Sequence, residues 1–323
     1  MTEDEIVSGI EELLSKGARN KTLRRIVLGI GDDAALWQPS RSHRSVISAD
    51  MLVEGVHFTR EAMSLEDAGW RAMVANLSDL AAMGARPVLA TVSLGVSRRN
   101  AAAETLQLYR GIADAASRHK IAVVGGDLTR SDTIAISISV VGEVRPSNVK
   151  TRSGGRVNDV LAVTGELGTA RAGLEGAPEA LGAFRRPQAR LEEGRFLAAS
   201  ASVTAMMDCS DGLSTDVHRL CIASGCGAVL EEVPVAAPAR AFAQARGEDP
   251  EAFALAGGED FELIAAIRPR AFSYLSGRFA KRFGRPLRRV GFLGKGEGVQ
   301  WQGRPLERSG WDHFDEGGAR LGG

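Results

Sequence analysis

Cysteine is nearly absent: Cys209, Cys221 and Cys226 are the three in 323 residues. An odd number reads as reduced thiols rather than a disulfide framework. The acidic start, Met1-Thr2-Glu3-Asp4-Glu5, lacks the basic and apolar regions of a secretion signal, so a cytoplasmic protein is expected. Cys221 and Cys226 have no matching His or Cys pair, which argues against zinc and for small buried apolar side chains. A charge surplus is missing too. Forty Lys and Arg balance forty Asp and Glu, without the basic excess of a nucleic-acid binder. Every apolar run is broken within a few residues by Gly or a charge, so no segment reads as spanning a bilayer. The usual phosphate-cradling loops are also lacking. There is no G-x-x-x-x-G-K-[ST], Gly29 and Gly31 lack the third glycine of a dinucleotide fingerprint, and the protein-kinase motif set is not found. Gly294-Lys295-Gly296-Glu297-Gly298 reads as a hairpin turn between two short strands.

What is present is an ordinary globular balance, 44% apolar and 25% charged, in a chain long enough for two domains. Residues 45–50 read as a strand ending at Asp50. A helix follows with Ser64 and Asp67 as its capping box and Trp70, Met73, Val74, Leu77 and Leu80 at helical spacing, up to Gly84. Period-two alternation marks strands at 88–94 and 134–140, around a helix at 101–117 and a strand at 121–124 stopped by Gly125-Gly126-Asp127. Pro146 and Arg152-Ser153-Gly154-Gly155-Arg156 then break the pattern. The domain boundary is therefore set near residue 147, giving 1–147 and 148–323. In the second half a strand at 160–163 precedes helices from Thr169 and near 188–200. An Asp-rich turn then leads into a helix closed by Gly225. Strands and helices mix in both halves, an α/β pattern.

The aspartates carry the chemistry. Asp32-Asp33, Asp50, Asp79, Asp127, Asp208 and Asp211 fall mostly at strand ends or in glycine-flanked turns, where backbone and carboxylates approach a ligand closely. Hard oxygen ligands of this kind suit Mg²⁺ together with phosphate oxygens. Asp is also a common turn and cap residue, and Asp132 and Asp216 are read that way. Spacing alone leaves both readings of the others open.

Taken in order, the segments resemble one family. They are Gly29-Ile30-Gly31-Asp32-Asp33, Ser48-Ala49-Asp50, Asn76-Leu77-Ser78-Asp79-Leu80-Ala81-Ala82-Met83-Gly84-Ala85, Gly125-Gly126-Asp127, Thr151-Arg152-Ser153-Gly154-Gly155, Asp208-Cys209-Ser210-Asp211-Gly212-Leu213, Gly257-Gly258-Glu259-Asp260-Phe261-Glu262-Leu263 and Gly310-Trp311-Asp312-His313-Phe314. The ordered set resembles thiamine-monophosphate kinase over nearly the whole chain. That resemblance implies the two-domain fold shared with aminoimidazole ribonucleotide synthetase. Its N-terminal sheet would lie at a homodimer interface, with ATP and metals in a cleft beside a C-terminal α/β domain. It implies Mg-dependent phosphorylation of thiamine monophosphate by ATP, the last step to thiamine diphosphate. By the same match, Asp33, Ser48, Ala49, Asp50, Asp79, Asp127, Asp208 and Asp211 would hold metal. Tyr109, Gly126, Asp127, Arg152 and Ser210 would contact nucleotide, and His57, Glu259 and Trp311 the substrate. Tyr109 also fits a helix core, His57 a loop, and Trp311 an anchor of the chain end. Two positions depart from the family pattern: Ala49 and Leu128 each stand where Thr is usual. Ala49 is harmless to metal binding only if the contact there is through the backbone.

Overall fold

A computed structural model describes residues 2–15, 25–30, 34–98 and 101–310. The described residues divide into two units, one within 2–80 and 86–146, the other of 81–85 and 147–310.

The first unit contains α1 (Glu3–Ser15), β1 (Ile26–Leu28), β2 (Leu36–Trp37), β3 (Arg44–Val53), α2 (Leu65–Ala82), β4 (Arg86–Val96), α3 (Ala101–His119), β5 (Ala122–Arg130) and β6 (Ala135–Val144). Four strands form a sheet in the order β3-β6-β4-β5, antiparallel except for the β4–β5 pair. Alternation decides its two faces. Ile136, Ile138, Val140, Ala90, Val92 and Leu94 are buried on one, the side from which β3 reaches α2. Ile47 and Met51 pair across β3–β6 with Val141 and Ser137 on the other, and both remain exposed.

α2 begins as its sequence dictates. Ser64 Oγ accepts from Asp67 N at 3.1 Å and donates to Asp67 Oδ2 at 2.8 Å, closing the expected cap. α2 and α3 then touch backbone to backbone. A Cβ on Gly69 would lie 2.0 Å from Leu108 O, and one on Gly111 would lie 1.8 Å from Glu66 O. Only two glycines let the helices come this close.

β5 does not stop at Gly125. It runs on through Asp127 to Arg130, because a register shift at Ala90/Thr91 lets β4 keep pairing with it.

The second unit contains β7 (Val160–Val163), α4 (Thr169–Leu174), α5 (Leu181–Arg185), α6 (Leu191–Ala198), β8 (Val203–Cys209), α7 (Leu213–Ser224), β9 (Gly227–Leu230), α8 (Ala237–Ala245), α9 (Pro250–Leu255), β10 (Glu262–Ile267), α10 (Pro269–Phe283), β11 (Arg288–Gly294), β12 (Val299–Trp301) and β13 (Arg304–Leu306). Its sheet runs β13-β12-β9-β11-β7-β10-β8. β10 is buried along its whole length, and the core gathers around it from Leu161, Met207, Leu220, Phe253 and Ile264. The three cysteines are free and buried, as small apolar side chains should be. Gly225 closes α7 at φ 65°, the left-handed cap expected of it.

The glycine-rich stretch 294–298 is not a hairpin. β9 lies between β11 and β12, so the loop carries the chain over a strand rather than back along one. The tight hairpin comes one strand later. Gln302 and Gly303 both have positive φ and join Trp301 to its partner Arg304.

Gly111→Ala should lower the melting temperature by several degrees, since the overpacked α2–α3 contact costs about 1–3 kcal/mol. Gly277→Ala in α10 faces open space, and there alanine's better helix propensity should leave stability unchanged or raised. Equal thermal melts for the two variants would contradict the close-contact account.

Candidate active site

In the first unit the residues expected at the site belong to β3, α2, α3 and β5, with His57 in the turn after β3. Ser48 and Asp50 sit two apart on β3, on the face turned to α2, and both are half-buried. Ser48 Oγ donates to Asp79 Oδ2 on α2. Asn76, one helical turn earlier, accepts from Asp50 N at 3.0 Å while donating to Ala72 O at 2.9 Å. The Asn-Leu-Ser-Asp segment thus stitches the helix to the strand. Ala49, exposed between Ser48 and Asp50, points to the opposite face. A hydroxyl there would point away from Ser48 and Asp50, so this position offers that face only backbone.

Gly126 and Asp127 lie exposed on β5. A Cβ at Gly126 would fall 1.9 Å from Val92 O, which explains the glycine. His57 Nδ1 accepts from Val53 N at 3.0 Å, so the neutral ring carries its proton on Nε2. Tyr109 is 4% exposed on α3, and burial raises its phenol above the usual range. It is a core residue, whatever else its hydroxyl does.

In the second unit the turn from β8 to α7 organises the rest. Asp208 is buried, while Ser210 and Asp211 are half-exposed. Asp216 has no exposed surface. Its Oδ2 accepts from Ser210 N and Asp211 N, both at 3.0 Å. The turn role read for it in the sequence is correct, and this turn carries Ser210 and Asp211. Burial, then the nearby Asp211 charge, pushes Asp216 up to about 6. Arg219 pairs with Asp211 and lies 2.9 Å from Asp216 Oδ1.

Two further segments close on this turn. Glu259 N donates to Ser210 O at 2.7 Å and Phe261 N to Cys209 O at 3.0 Å. Gly310 N donates to Thr215 Oγ1 at 3.1 Å, and a Cβ on Gly310 would meet Asp211 O at 1.8 Å. The Gly310 of the Gly-Trp pair is therefore fixed by this contact with the Asp211 backbone. Glu259 (φ 65°) and Phe261 (φ 50°) both adopt left-handed backbone, at a cost of about 1–2 kcal/mol each. Asp260 between them accepts from Gly168 N at 2.6 Å and Ala170 N at 3.1 Å. Arg152, in the turn before β7, is exposed and ties back through its carbonyl to Ser224 Oγ at 2.9 Å.

Asp33 and Trp311 lie outside the described residues. Asn76, Arg219 and Asp260 were missed as site residues by sequence reasoning. Arg219 stands eight residues from Asp211, and no local pattern pairs them.

A family model for the N-terminal domain of AIR synthase related proteins matches residues 31–144, and its C-terminal counterpart matches 156–269. A thiamine-monophosphate kinase of Rhodopirellula baltica is 38% identical over 283 residues, covering 84% of this chain and 85% of its own. The crystal structure of thiamine-monophosphate kinase from Stenotrophomonas maltophilia K279a matches with a TM-score of 0.82 at 30% identity, over 91% of this chain and 96% of that one. AaThiL complexed with AMPPCP and TMP matches at 0.75 and 31% identity, over 97% and 99%.

One consequence is a pH dependence of stability. Burial pushes the Asp260 carboxyl up to about 7, against the backbone N–H groups that favour its charged form. A carboxyl whose folded value is raised stabilises the fold below pH ~4 and loses that contribution as pH climbs through ~7. Wild type should therefore lose on the order of 4 kcal/mol relative to Asp260→Asn between these limits. Chemical denaturation at a series of pH values reads this directly, and a pH-independent difference would refute it.

Proposed function

The chain belongs to the thiamine-monophosphate kinase family, and we propose from that membership that it transfers the γ-phosphate of ATP to thiamine monophosphate, giving ADP and thiamine diphosphate. The observation that carries this reading is the likeness, over nearly the whole chain, to AaThiL complexed with AMPPCP and TMP.

The acceptor is a phosphate monoester, whose second pKa is about 6. At pH 7 it is already an anion and needs no general base. Direct in-line transfer without a phosphoenzyme is the simplest route, with the protein supplying position and charge. Arg152, which is exposed, stabilises the transferring group, and Ser210 joins it as a nucleotide contact. In the first unit Tyr109, Gly126 and Asp127 take that role. His57, Glu259 and Trp311 hold the thiamine end. Its thiazolium is cationic, so a carboxylate and an aromatic face are apt partners.

Mg²⁺ fits the donors present. Ser48, Asp50, Asp79 and Asp127 in one unit, and Asp208 and Asp211 in the other, are hard oxygen groups. Asp33 and the backbone of Ala49 complete the assignment. Among the described residues no three His, Cys, Asp or Glu side chains gather into a metal cage. Mg²⁺ does not require one, since it takes one or two carboxylates and fills its shell with phosphate oxygens and water. Bound there, it would neutralise the repulsion between two polyanionic reactants.

The exposed sheet face offers a homodimer surface, with Ile47 72% and Met51 53% exposed on one strand. No helix among the described residues is long and apolar enough to cross a membrane, and we assign the chain to the cytoplasm.

Purified protein with Mg-ATP should convert thiamine monophosphate, and not free thiamine, to thiamine diphosphate, followed by fluorescence after oxidation. Asp127→Asn and Asp211→Asn should each lower kcat by about 10²-fold, the scale of one lost electrostatic stabiliser. Turnover of free thiamine alone, or full activity in both variants, would sink the assignment. Ile47→Glu with Met51→Glu should shift the sedimenting species from dimer to monomer, and an unchanged mass would remove this face as the interface.

A further inference from the structure

Glu259 is the substrate contact with the least ordinary backbone. It and Phe261 are both left-handed, two residues apart, with no glycine at either position. Such a shape persists only where its surroundings over-determine it. The two backbone bonds to Ser210 O and Cys209 O fix the segment against β8. They do not by themselves select left-handed over extended backbone.

The side chains that alternate with the strained residues do. Glu262 is 3% exposed, with Thr164 Oγ1 at 2.5 Å and Arg190 at 2.6 and 3.0 Å, and it also pairs with Arg285. That network pins the start of β10. Asp260 reaches the start of α4 and takes the N–H groups of Gly168 and Ala170. Two anchors with different partners thus flank Phe261, and one of them lies directly beside Glu259.

We propose that Asp260 is a positioning residue, whose hold on the turn before α4 locks Glu259 and Phe261 in the left-handed backbone that presents Glu259 to the thiamine end of the substrate. The inference rests on the reading of Glu259 as a substrate contact. It assigns Asp260 no contact with substrate, nucleotide or metal. Its removal releases strain at Glu259, so the cost falls on substrate affinity rather than on the transfer step.

The experiment is a double-mutant cycle on the full chain, with Glu259→Ala, Asp260→Ala and the pair. Asp260→Ala should raise the KM for thiamine monophosphate about tenfold, the scale of losing buried hydrogen bonds. The KM for ATP and kcat should stay within about twofold. In the Glu259→Ala background the same change should add less than about twofold, because there is no carboxylate left to position. Asp260→Asn keeps one acceptor oxygen in the same space and should rescue most of the loss. It also serves if Asp260→Ala does not fold, and its KM for thiamine monophosphate should then rise about two- to fivefold. Three results would overturn the inference. If Glu259→Ala raises that KM while neither Asp260 variant does, positioning fails and the reading of Glu259 stands. If the effects multiply in the pair, Asp260 acts independently of Glu259. If Glu259→Ala itself changes nothing, the substrate reading of Glu259 fails and takes the inference with it.

Discussion

The second unit turns on one buried charge. Asp216 has no exposed surface, and a carboxylate in that position is tolerable only if its oxygens are saturated. They are, by two consecutive backbone N–H groups and a guanidinium. Capturing the N–H groups of Ser210 and Asp211 commits those peptides to face inward, and their carbonyls are then left to other segments. Those carbonyls are Cys209 O and Ser210 O, which receive Phe261 N and Glu259 N, while Asp211 O in the next peptide lies against Gly310. Three stretches far apart in sequence therefore share one turn.

The first unit solves the same problem with a neutral group. Asn76 is fully buried, and it uses its amide to hold Asp50's backbone and its own helix at once. No buried charge is needed, because α2 and β3 already lie side by side under a common apolar face. The close approach of α2 and α3 at Gly69 and Gly111 sets where α2 lies, and so where Asp79 meets Ser48. A packing contact thus fixes the position of a polar one.

Much of this was legible from residue order. The Ser64–Asp67 cap, the helical spacing from Trp70 to Leu80, the alternation of 134–140 and the Gly225 cap are local signals, and local physics decided them. The misreadings were non-local. Gly125-Gly126 looks like a stop, but β4 shifts register to keep its partner. The stretch 294–298 looks like a hairpin, but β9 takes the place between the strands on either side. The Arg219–Asp211 pair and the Asp260 cap on the Gly168 turn join residues eight and ninety-two apart, and no spacing rule reaches that far. Asp260 was visible only as one letter in a family motif, without the reason for it.

The pairing pattern also bears on how a chain with so many carboxylates can fold before any cation arrives. Bare carboxylates close together would repel one another, yet two of the described ones already have partners. Asp79 takes the Ser48 hydroxyl and Asp211 takes Arg219. Both partners are partly exposed, so neither arrangement carries the desolvation penalty of a fully buried pair. On the metal assignment proposed above, loading the site exchanges one partner for another instead of bringing bare charges together. Were Asp211 taken by a cation, the Arg219 guanidinium would keep Asp216 as its second partner, 2.9 Å away. The turn therefore need not reorganise when Asp211 changes hands, because the buried carboxylate that shapes it never loses its cation.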